Sequence, residues 1–459
     1  MTTKPAPTVT PSASGIAAPA ASPGLDALLA RGRARRADGE PAWLAPRRAE
    51  ALARVASRGL PTSRDEAWKY TNLAPLARTP WRVAAAASPD ALRALVERHR
   101  LHLVSGVSLV VVDGRYAPEL SLVPPHAAGL EVGSLAAELR RAPDALEPHL
   151  ARVASGGDRP IADLSTACFD DGVLVRLVAG TCLPVPIDVL HVSTGGGAAS
   201  FPRTLVVAET ASRVTLVERF VSAGPGPYAV LPVTEVSLAR NAAVEHVVWQ
   251  EDADDAVHVA TVEARQDRDS RFTSYALTLG AGLARTDTGV TLDGEGAECG
   301  LYGLYLVFGR RHADHHTRID HAKPHGISRE LYKGILDGQG TGVFNGKVIV
   351  RPGAQKTDSQ QTSHTLLLSA EATADTKPEL EIYADDVKCA HGATIGRLED
   401  EKLFYLRSRG IDARAARDLL LRAFARDVAD RITIEPVHAR LERWITERMP
   451  ALSGREESA

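Results

Sequence analysis

The sequence predicts an all-β core, arranged as a β-helix, between two α-helical regions. Short β-type runs separated by Gly, Asp, Asn or Pro follow one another from about residue 172 to 384. No long helical pattern interrupts these runs. Together they occupy roughly 220 residues, more than a two-sheet sandwich usually needs, whereas a stack of coiled strands can extend because each rung pairs only with its neighbours. A large antiparallel barrel and two packed sandwiches are alternatives that the periodicity leaves open.

The composition is that of an ordinary globular protein. Of the 459 residues, 44% are hydrophobic and 24% charged, and the net charge of -3 gives no general attraction to nucleic acid or to a membrane surface. No stretch approaches the roughly 18–20 apolar residues of a membrane span. The four cysteines lie far apart, which predicts neither a disulfide framework nor a closed zinc site. We therefore expect a reducing, cytoplasmic location and partners that are recognised locally.

The predicted domain boundaries follow changes in composition and hydrophobic pattern along the chain. Residues 1–24 are rich in Ala, Pro and Ser and are expected to be a disordered tail, with an organelle transit peptide as the alternative because no acidic residue precedes Asp26. Residues 25–170 should form an N-terminal helical region with a small β hairpin, since the strand-like run 110–112 enters Asp113-Gly114. The β-helix core is placed at 171–396 and a second disordered tail at 451–459.

Strands of the core are assigned from runs of β-branched and aliphatic residues bounded by turn residues. The predicted strands are 173–178, 187–192, 204–208, 214–220, 233–238, 243–249, 257–264, 272–279, 289–292, 301–308, 343–350, 365–368 and 380–384.

Residues 397–450 are predicted to form a compact C-terminal helical module. A helix at 398–409 ends at Gly410, and Asp412 caps a second helix whose apolar face should carry Leu419, Leu420, Phe424 and Val428. A third helix covers 436–449. The opposite face is rich in arginine, at positions Arg414, Arg417, Arg422, Arg426 and Arg431.

The glycine-rich segment 338–347 superficially suggests a phosphate-binding loop. Thr341 stands where that motif needs glycine, Val348 stands where it needs Ser or Thr, and no helical pattern follows. The segment is better explained as a β-turn that leads into a strand, so we expect this chain to bind no nucleotide.

A dense polar cluster raises a metal hypothesis. On a strand, alternate residues share a face, so His312 and Asp314, or Asp314 and His316, could converge on an ion. The alternative is a polar strip of the β body whose histidines are hydrogen-bonded. The whole cluster comprises His312, Asp314, His315, His316, Asp320, His321 and His325.

Cys389 and His391 form a sharper candidate. In an extended segment they point to the same side and place a thiol beside an imidazole, a pair that suits iron or zinc. Two ligands cannot close a tetrahedral site, so such a site would be open or completed by another chain. The alternative is a thiol packed as a small hydrophobe beside a hydrogen-bonded histidine.

Several long blocks of the chain resemble the SufB/SufD family of iron–sulfur cluster assembly scaffolds. The block RDEAWKYT at 64–71 and the Cys-x-His-Gly-Ala-Thr arrangement are most similar to its D-type member, and the close run of ligand cysteines typical of the B type is missing. The similarity covers about residues 60–435. The other blocks are SRELYKG at 328–334, VFNGKV at 343–348, AQKTDSQQ at 354–361, LLLS at 366–369, DTKPELEIYADD at 375–386, KCAHGATIG at 388–396 and LFYLRSRG at 403–410.

This resemblance implies a right-handed parallel β-helix flanked by N- and C-terminal α-helical regions. It implies a non-catalytic subunit that pairs with a SufB-like scaffold through the β-helices and carries a SufC-like ABC-type ATPase on its C-terminal helices. A homodimer when the partner is absent is an alternative that the sequence leaves open. It assigns His391, with Cys389 second, to a transient iron–sulfur cluster shared with the partner chain. Reduced flavin is a candidate cofactor of the complex. Residues Arg414, Arg417, Arg422 and Phe424 are the candidates for docking the ATPase.

Two other functions are alternatives to this interpretation. Long β-helices often carry carbohydrate-active enzymes, but those need an aromatic-lined groove, and aromatic residues are only 5% of this chain. A SufB-like subunit that holds the cluster itself would need more ligand cysteines than four scattered ones provide.

Overall fold

The computed structural model describes residues 22–448, except 36–38, 86, 102, 104–105, 125–127, 155–158 and 225. The predicted tail 451–459 and nearly all of the predicted tail 1–24 lie outside these residues. A parallel β-solenoid of about 8 turns spans residues 172–396, with helices on either side of it in the sequence. The predicted fold class, a parallel β-helix flanked by helices, is therefore confirmed. No described helix is long and apolar enough to cross a membrane.

The N-terminal region combines short helices with three strands. Its helices are α1 (Pro23–Ala34), α2 (Leu44–Arg58), α3 (Ala74–Arg78), α4 (Pro89–His99), α5 (Leu135–Arg141), α6 (Pro143–Leu146) and α7 (Pro160–Cys168), with single 3-10 turns at Glu66–Trp68 and Pro118–Leu120. Its strands are β1 (Val107–Val112), β2 (Arg115–Tyr116) and β3 (Leu130–Ser134).

The solenoid is built from β4 to β21, and three helices follow it. The strands are β4 (Gly172–Leu177), β5 (Ile187–Ser193), β6 (Ala199–Ser200), β7 (Arg203–Ala208), β8 (Arg213–Ser222), β9 (Tyr228–Val230), β10 (Val233–Leu238), β11 (Ala243–Glu251), β12 (Ala256–Gln266), β13 (Arg271–Thr278), β14 (Leu283–Leu292), β15 (Glu298–Val307), β16 (His312–His321), β17 (Ile327–Leu336), β18 (Thr341–Val350), β19 (Asp358–Leu367), β20 (Thr373–Ile382) and β21 (Lys388–Gly396). The helices are α8 (Asp400–Ser408), α9 (Ala413–Ala429) and α10 (Glu435–Arg448).

Two sheets form the walls of the solenoid. One runs β2-β1-β5-β8-β11-β13-β15-β17-β19-β21 and the other β20-β18-β16-β14-β12-β10-β7-β4-β3, with β6 and β9 beside the second path. From β10 onward, successive strands alternate between the walls. Within both walls the solenoid strands pair in parallel, and the antiparallel pairs β1 with β2 and β3 with β4 lie at the N-terminal end. The two walls end at β20 and β21.

Alternate residues of each strand point into the solenoid, where the apolar ones among them form one continuous cluster. This cluster includes Val189, Leu216, Val244, Phe272 and Leu301 on one wall. The residues between them point outward and meet the helices.

The helical regions pack on the outer faces of the walls, and α4 places Val96 against Leu190 and Val221 of the wall that ends in β21. Residues Leu29, Val55 and Trp68 of the N-terminal region pack with Leu205 and Val259 of the wall that ends in β20. The C-terminal residues Leu421, Val428, Leu441 and Ile445 pack with Val247, Leu277, Leu304 and Ile335 of the wall that ends in β21.

Helix α9 begins as predicted but buries a different face. The Asp412 carboxylate accepts the backbone N–H of Ala415, so the predicted N-cap is confirmed. The predicted apolar face was wrong at Leu419, which is 51% exposed. Small residues let the helix approach the sheet closely, and the buried face is Ala416, Leu421, Ala425, Val428 and Ala429.

A buried carboxylate fastens the N-terminal region to the solenoid. Glu235 on β10 accepts the backbone N–H groups of residues 151–154 at 2.8 to 3.1 Å and pairs with Arg203 on β7 at 2.5 Å. Both side chains of the ion pair are fully buried. The carboxylate therefore satisfies a segment of backbone that would otherwise lose its hydrogen bonds.

Replacing this carboxylate should destabilise the fold strongly. Glu235→Leu leaves Arg203 buried without a counter-charge and the 151–154 amides without an acceptor, so we expect a loss of about 3–5 kcal/mol. Glu298→Leu is the matched control because its pair with Arg271 is largely exposed, and exposed pairs contribute less than about 1 kcal/mol. Thermal melting of the full chain measures both, and equal shifts for the two variants would contradict this role.

Candidate functional site

The C-terminal end of the solenoid presents two edge strands. β20 and β21 each have a hydrogen-bonded neighbour on one side only among the described residues. Most residues of β21 are exposed. An edge strand of this kind offers unpaired backbone donors and acceptors to another chain.

Cys389 and His391 lie on this last strand and share its inward face. Cys389 is in register with Ser359 and His391 with Gln361, both of which are buried inside the solenoid. Cys389 is half-buried and packs against the interior cluster, whereas His391 is exposed. Burial raises the pKa of the Cys389 thiol. The pair is therefore adjacent, as predicted, at the open end of the solenoid.

Polar side chains continue inward beneath this pair. Under Cys389, Ser328 Oγ donates to Ser359 Oγ at 2.8 Å, and His321 Nε2 lies 2.9 Å from Ser328 Oγ. Under His391, Gln361 Nε2 donates to Glu330 Oε2 at 2.7 Å. The interior thus holds polar groups in its last turns, as it does in earlier turns, where the buried Glu218 carboxylate contacts His191 and His246.

The structure gives the histidine-rich strand β16 two separate environments. His312, Asp314 and His316 face outward, and Thr71 Oγ1 contacts both His312 Nε2, at 2.9 Å, and Asp314. His316 Nε2 lies 3.1 Å from Asp314 Oδ1. The outward half of the cluster is therefore a hydrogen-bonded polar strip that docks the N-terminal region.

Arg285 completes this strip. Its guanidinium lies 2.9 Å from the Asp314 carboxylate and 3.5 Å from the centre of the Trp68 ring. Burial alone would raise the pKa of Asp314, but Arg285 and His316 outweigh it and hold that pKa well below its usual range. An ionised carboxylate with these partners explains the local sequence without a metal ion.

The inward half of the same strand carries His315 and His321. Burial lowers the pKa of each imidazole to about 4, so both are neutral near pH 7. The His315 ring lies between those of Tyr305 and Tyr332, at 5.3 and 5.2 Å. Neither of its ring nitrogens has a hydrogen-bond partner among the described residues.

The predicted ATPase-docking residues occupy different positions on α9. Arg414 is exposed and Arg417 is half-buried. Arg422 Nε pairs with Asp418 at 2.8 Å. Phe424 is half-buried, and the Lys333 Nζ lies 4.2 Å from its ring centre and donates to its carbonyl at 3.2 Å. Phe424 thus contacts the solenoid.

Helix α8 carries exposed aromatic residues that the sequence interpretation did not single out. It has no buried residue, and Phe404 and Tyr405 are 74% and 58% exposed. Leu419 of α9 is also exposed. An adjacent Phe-Tyr pair in a short helix that begins with three charged residues is the signal that could have identified this surface.

One group of metal-type ligands lies close together among the described residues, at Asp430, His438 and Glu442. It sits on the surface of the C-terminal helices, where His438 pairs with Asp430 at 3.3 Å and Glu442 with Arg426 at 2.8 Å. These contacts account for the group as surface ion pairs.

Comparison with known proteins finds two matching family models and several relatives of this chain. The model of the SufBD core domain of the SUF system for FeS cluster assembly matches residues 191–424, and that of the SufBD protein N-terminal region matches residues 25–189. The chain is 35% identical to an iron–sulfur cluster assembly SufBD family protein of Synechocystis, over 85% of this chain and 88% of the relative. It is 32% identical to the iron–sulfur cluster assembly protein SufD of Escherichia coli, over 88% and 93%. It is 27% identical to SufD of Bacillus subtilis, over 62% and 65%.

The buried neutral His321 should make stability depend on pH. Its pKa of about 4 in the fold lies below the unfolded value of roughly 6.5. The stability that depends on neutral His321 is thus fully present above pH 6.5. It is lost as pH falls towards 4, because the unfolded chain takes up the proton first. His321→Gln retains a donor towards Ser328 without titrating. Thermal melting at pH 7.5, 5.5 and 4.5 should show the wild type losing on the order of 2–3 kcal/mol more than this variant. Parallel curves would disprove the assignment.

Proposed function

This chain belongs to the SufBD family of iron–sulfur cluster assembly proteins, and we propose that it is a D-type, non-catalytic scaffold subunit of an ATPase-driven assembly complex. In this role it pairs with a SufB-like partner, carries a SufC-like ATPase and contributes ligands to a transient cluster at the partner interface. The observation that carries the proposal is the position of Cys389 and His391, side by side on the edge strand β21.

An edge position suits a transient, shared site. Two ligands from one chain leave coordination positions open, and a partner that pairs with the exposed backbone of β21 would bring its own ligands next to them. A second copy of this chain would pair there when the partner is absent. The cluster is the cargo of this reaction, so a permanent cage of four protein ligands is not needed.

His391 is the preferred ligand of the two. It is exposed, and a neutral imidazole binds iron while remaining more exchangeable than a thiolate. Cys389 is second because burial raises the pKa of its thiol and so disfavours the thiolate that binds metal. Its packing against the interior cluster gives it a structural role as well.

The docking surface for the ATPase is best placed on α8 and the exposed start of α9. Phe404, Tyr405 and Leu419 are large side chains that are each more than half exposed. Buried aromatic anchors usually supply most of the binding energy of an interface, while charges at its rim, such as Arg414, affect association rate and salt dependence. Phe424 contributes indirectly, because its contacts with Lys333 hold α9 against the solenoid.

Replacing His391 tests the cluster site. In the complex with the SufB-like scaffold and the ATPase, His391→Ala should assemble normally but lose most of the cluster formed under anaerobic reconstitution. Cluster content is measured from iron, acid-labile sulfide and absorbance per complex. Cys389→Ser is the companion variant and should retain a larger fraction of the cluster.

Assembly of the complex is the control for that experiment. A cluster yield of His391→Ala equal to the wild type would refute the ligand role. Loss of assembly would make His391 an interface residue instead of a ligand.

Removing the aromatic pair tests the docking surface. Phe404→Ala combined with Tyr405→Ala should raise the Kd for the ATPase at least ~30-fold, since truncating two interface anchors costs about 2 kcal/mol or more. Point changes are preferable to truncation near Thr394, because β21 continues to Gly396. Titration calorimetry of full-length chains measures the effect.

The matched control removes exposed apolar residues elsewhere. Leu122 and Val123 are 54% and 44% exposed in the N-terminal region. Changing both to Ala should leave ATPase affinity unaltered, and an unchanged Kd for the α8 variant would place the docking surface elsewhere.

A further inference from the structure

Four of the sequence blocks that resemble the SufB/SufD family meet in one layer at the C-terminal end of the solenoid. Each block contributes one residue, namely Glu330 from 328–334, Gly346 from 343–348, Gln361 from 354–361 and His391 from 388–396. Glu330 pairs with Gln361, and Gln361 pairs with His391, in the parallel ladder of one wall. Gly346 lies on β18 of the opposite wall. The edge residue His391 is therefore continuous with a column of polar side chains inside the solenoid.

The side chain of Gln361 is held in one orientation. It is 1% exposed, and its Nε2 donates to Glu330 Oε2 at 2.7 Å. A carboxyl oxygen that accepts this bond requires the NH2 group of the amide on the Glu330 side, so the carbonyl Oε1 points away from Glu330. Glu330 thus decides which atom of Gln361 is available to the last strand.

Gly346 leaves the space that this amide occupies. A Cβ atom at position 346 would lie 2.3 Å from Gln361 Nε2 and 2.8 Å from its Cδ. Both distances are shorter than a van der Waals contact, so alanine there would push the amide away from Glu330. The opposite wall is therefore shaped around the Gln361 side chain.

The free atom of this arrangement is Gln361 Oε1. It is buried and has no hydrogen-bond partner among the described residues. The next inward position of the ladder is His391, whose side chain is exposed at the end of the solenoid. Neighbouring strands lie about 4.7–4.9 Å apart, so an imidazole that turns inward brings a ring N–H to Oε1. A buried acceptor without a donor costs free energy, and this contact removes that cost.

We propose that Gln361 is a positioning residue for His391, because its Oε1 accepts one ring N–H and so fixes the tautomer and direction of the imidazole. A neutral imidazole has one donor nitrogen and one acceptor nitrogen. Once Gln361 takes the donor, the other nitrogen keeps its lone pair and faces the partner interface, where a metal can bind it. This inference rests on the proposed function, in which His391 is a ligand of the transient cluster.

Cluster formation in the complex with the SufB-like scaffold and the ATPase tests this inference. Gln361→Met keeps the length of the side chain but offers no acceptor of comparable strength, so the initial rate of cluster formation should fall at least ~10-fold. Pulsed EPR of the reduced cluster should show coupling to a histidine nitrogen in the wild type, which His391→Ala assigns by its loss. This coupling should weaken in Gln361→Met.

Gln361→Glu is the conservative variant that should restore function. It keeps an oxygen towards His391, and because burial raises the pKa of Glu330 to about 7, the two adjacent carboxyls can share one proton. The rate and the nitrogen coupling should return to near wild-type values. If Gln361 only filled space, Gln361→Met would behave like the wild type.

Ser363→Ala is the matched control, because Ser363 lies on the same strand, is equally buried and has Ala393 as its ladder neighbour. Assembly of the complex and thermal melting establish that each variant folds, and Gln361→Leu is the second acceptor-free variant if Gln361→Met does not. Equal rates for Gln361→Met and Ser363→Ala would overturn the inference, as would a Gln361→Glu variant no faster than Gln361→Met.

The His391→Ala variant separates this inference from the proposed function. If it loses the cluster while Gln361→Met keeps the wild-type rate, the positioning role alone is wrong. If it keeps a full cluster yield, the ligand role of His391 is refuted and the positioning role with it.

Discussion

In-register parallel stacking is the constraint on which the rest of this structure depends. Each strand repeats the inward and outward alternation of its neighbour, so that every inward position becomes part of a column along the solenoid. Bulky residues in such columns need small neighbours. A Cβ at Gly303 would lie 2.1 Å from the Tyr332 ring, and one at Gly334 would lie 2.1 Å from the Tyr305 ring. Gly303 pairs with Tyr332, and Tyr305 with Gly334, in the register of β15 and β17. A shift of this register by one residue would therefore turn both tyrosine rings away from their glycines.

The same stacking gives the molecule two different ends. At the N-terminal end, antiparallel strands and helices cover the first turns, and Glu235 fastens the 151–154 segment to β10. At the C-terminal end the described helices pack on the outer face of one wall and leave the last strands uncovered. The exposed strand edges of the described solenoid therefore lie where the stack stops.

The sequence predicted the fold better than it predicted the surfaces. Aliphatic strands such as β5 and β11 were recognisable because their residues are buried on both faces. β17 was missed because Ser328, Glu330 and Lys333 interrupt its pattern, although the first two point inward and the last contacts α9. The β16 cluster could not be resolved from composition, since its residues divide between an outward strip and the interior. The adjacency of Cys389 and His391 followed from strand alternation, whereas the contacts beneath them depend on strands that are distant in sequence.

The two edge strands differ in how readily they accept a partner. β20 contains Pro378, which lacks a backbone donor, and its Lys377 is held by Glu66 of the N-terminal region at 2.6 Å. β21 has no proline, and its outward residues beyond Lys388 are Ala390, Gly392, Thr394 and Gly396. These small side chains allow close approach and leave the row of backbone groups unbroken. An exposed strand of this kind is an aggregation hazard unless a partner covers it. Of the two edges, the one that carries His391 is thus the more open to pairing with another strand.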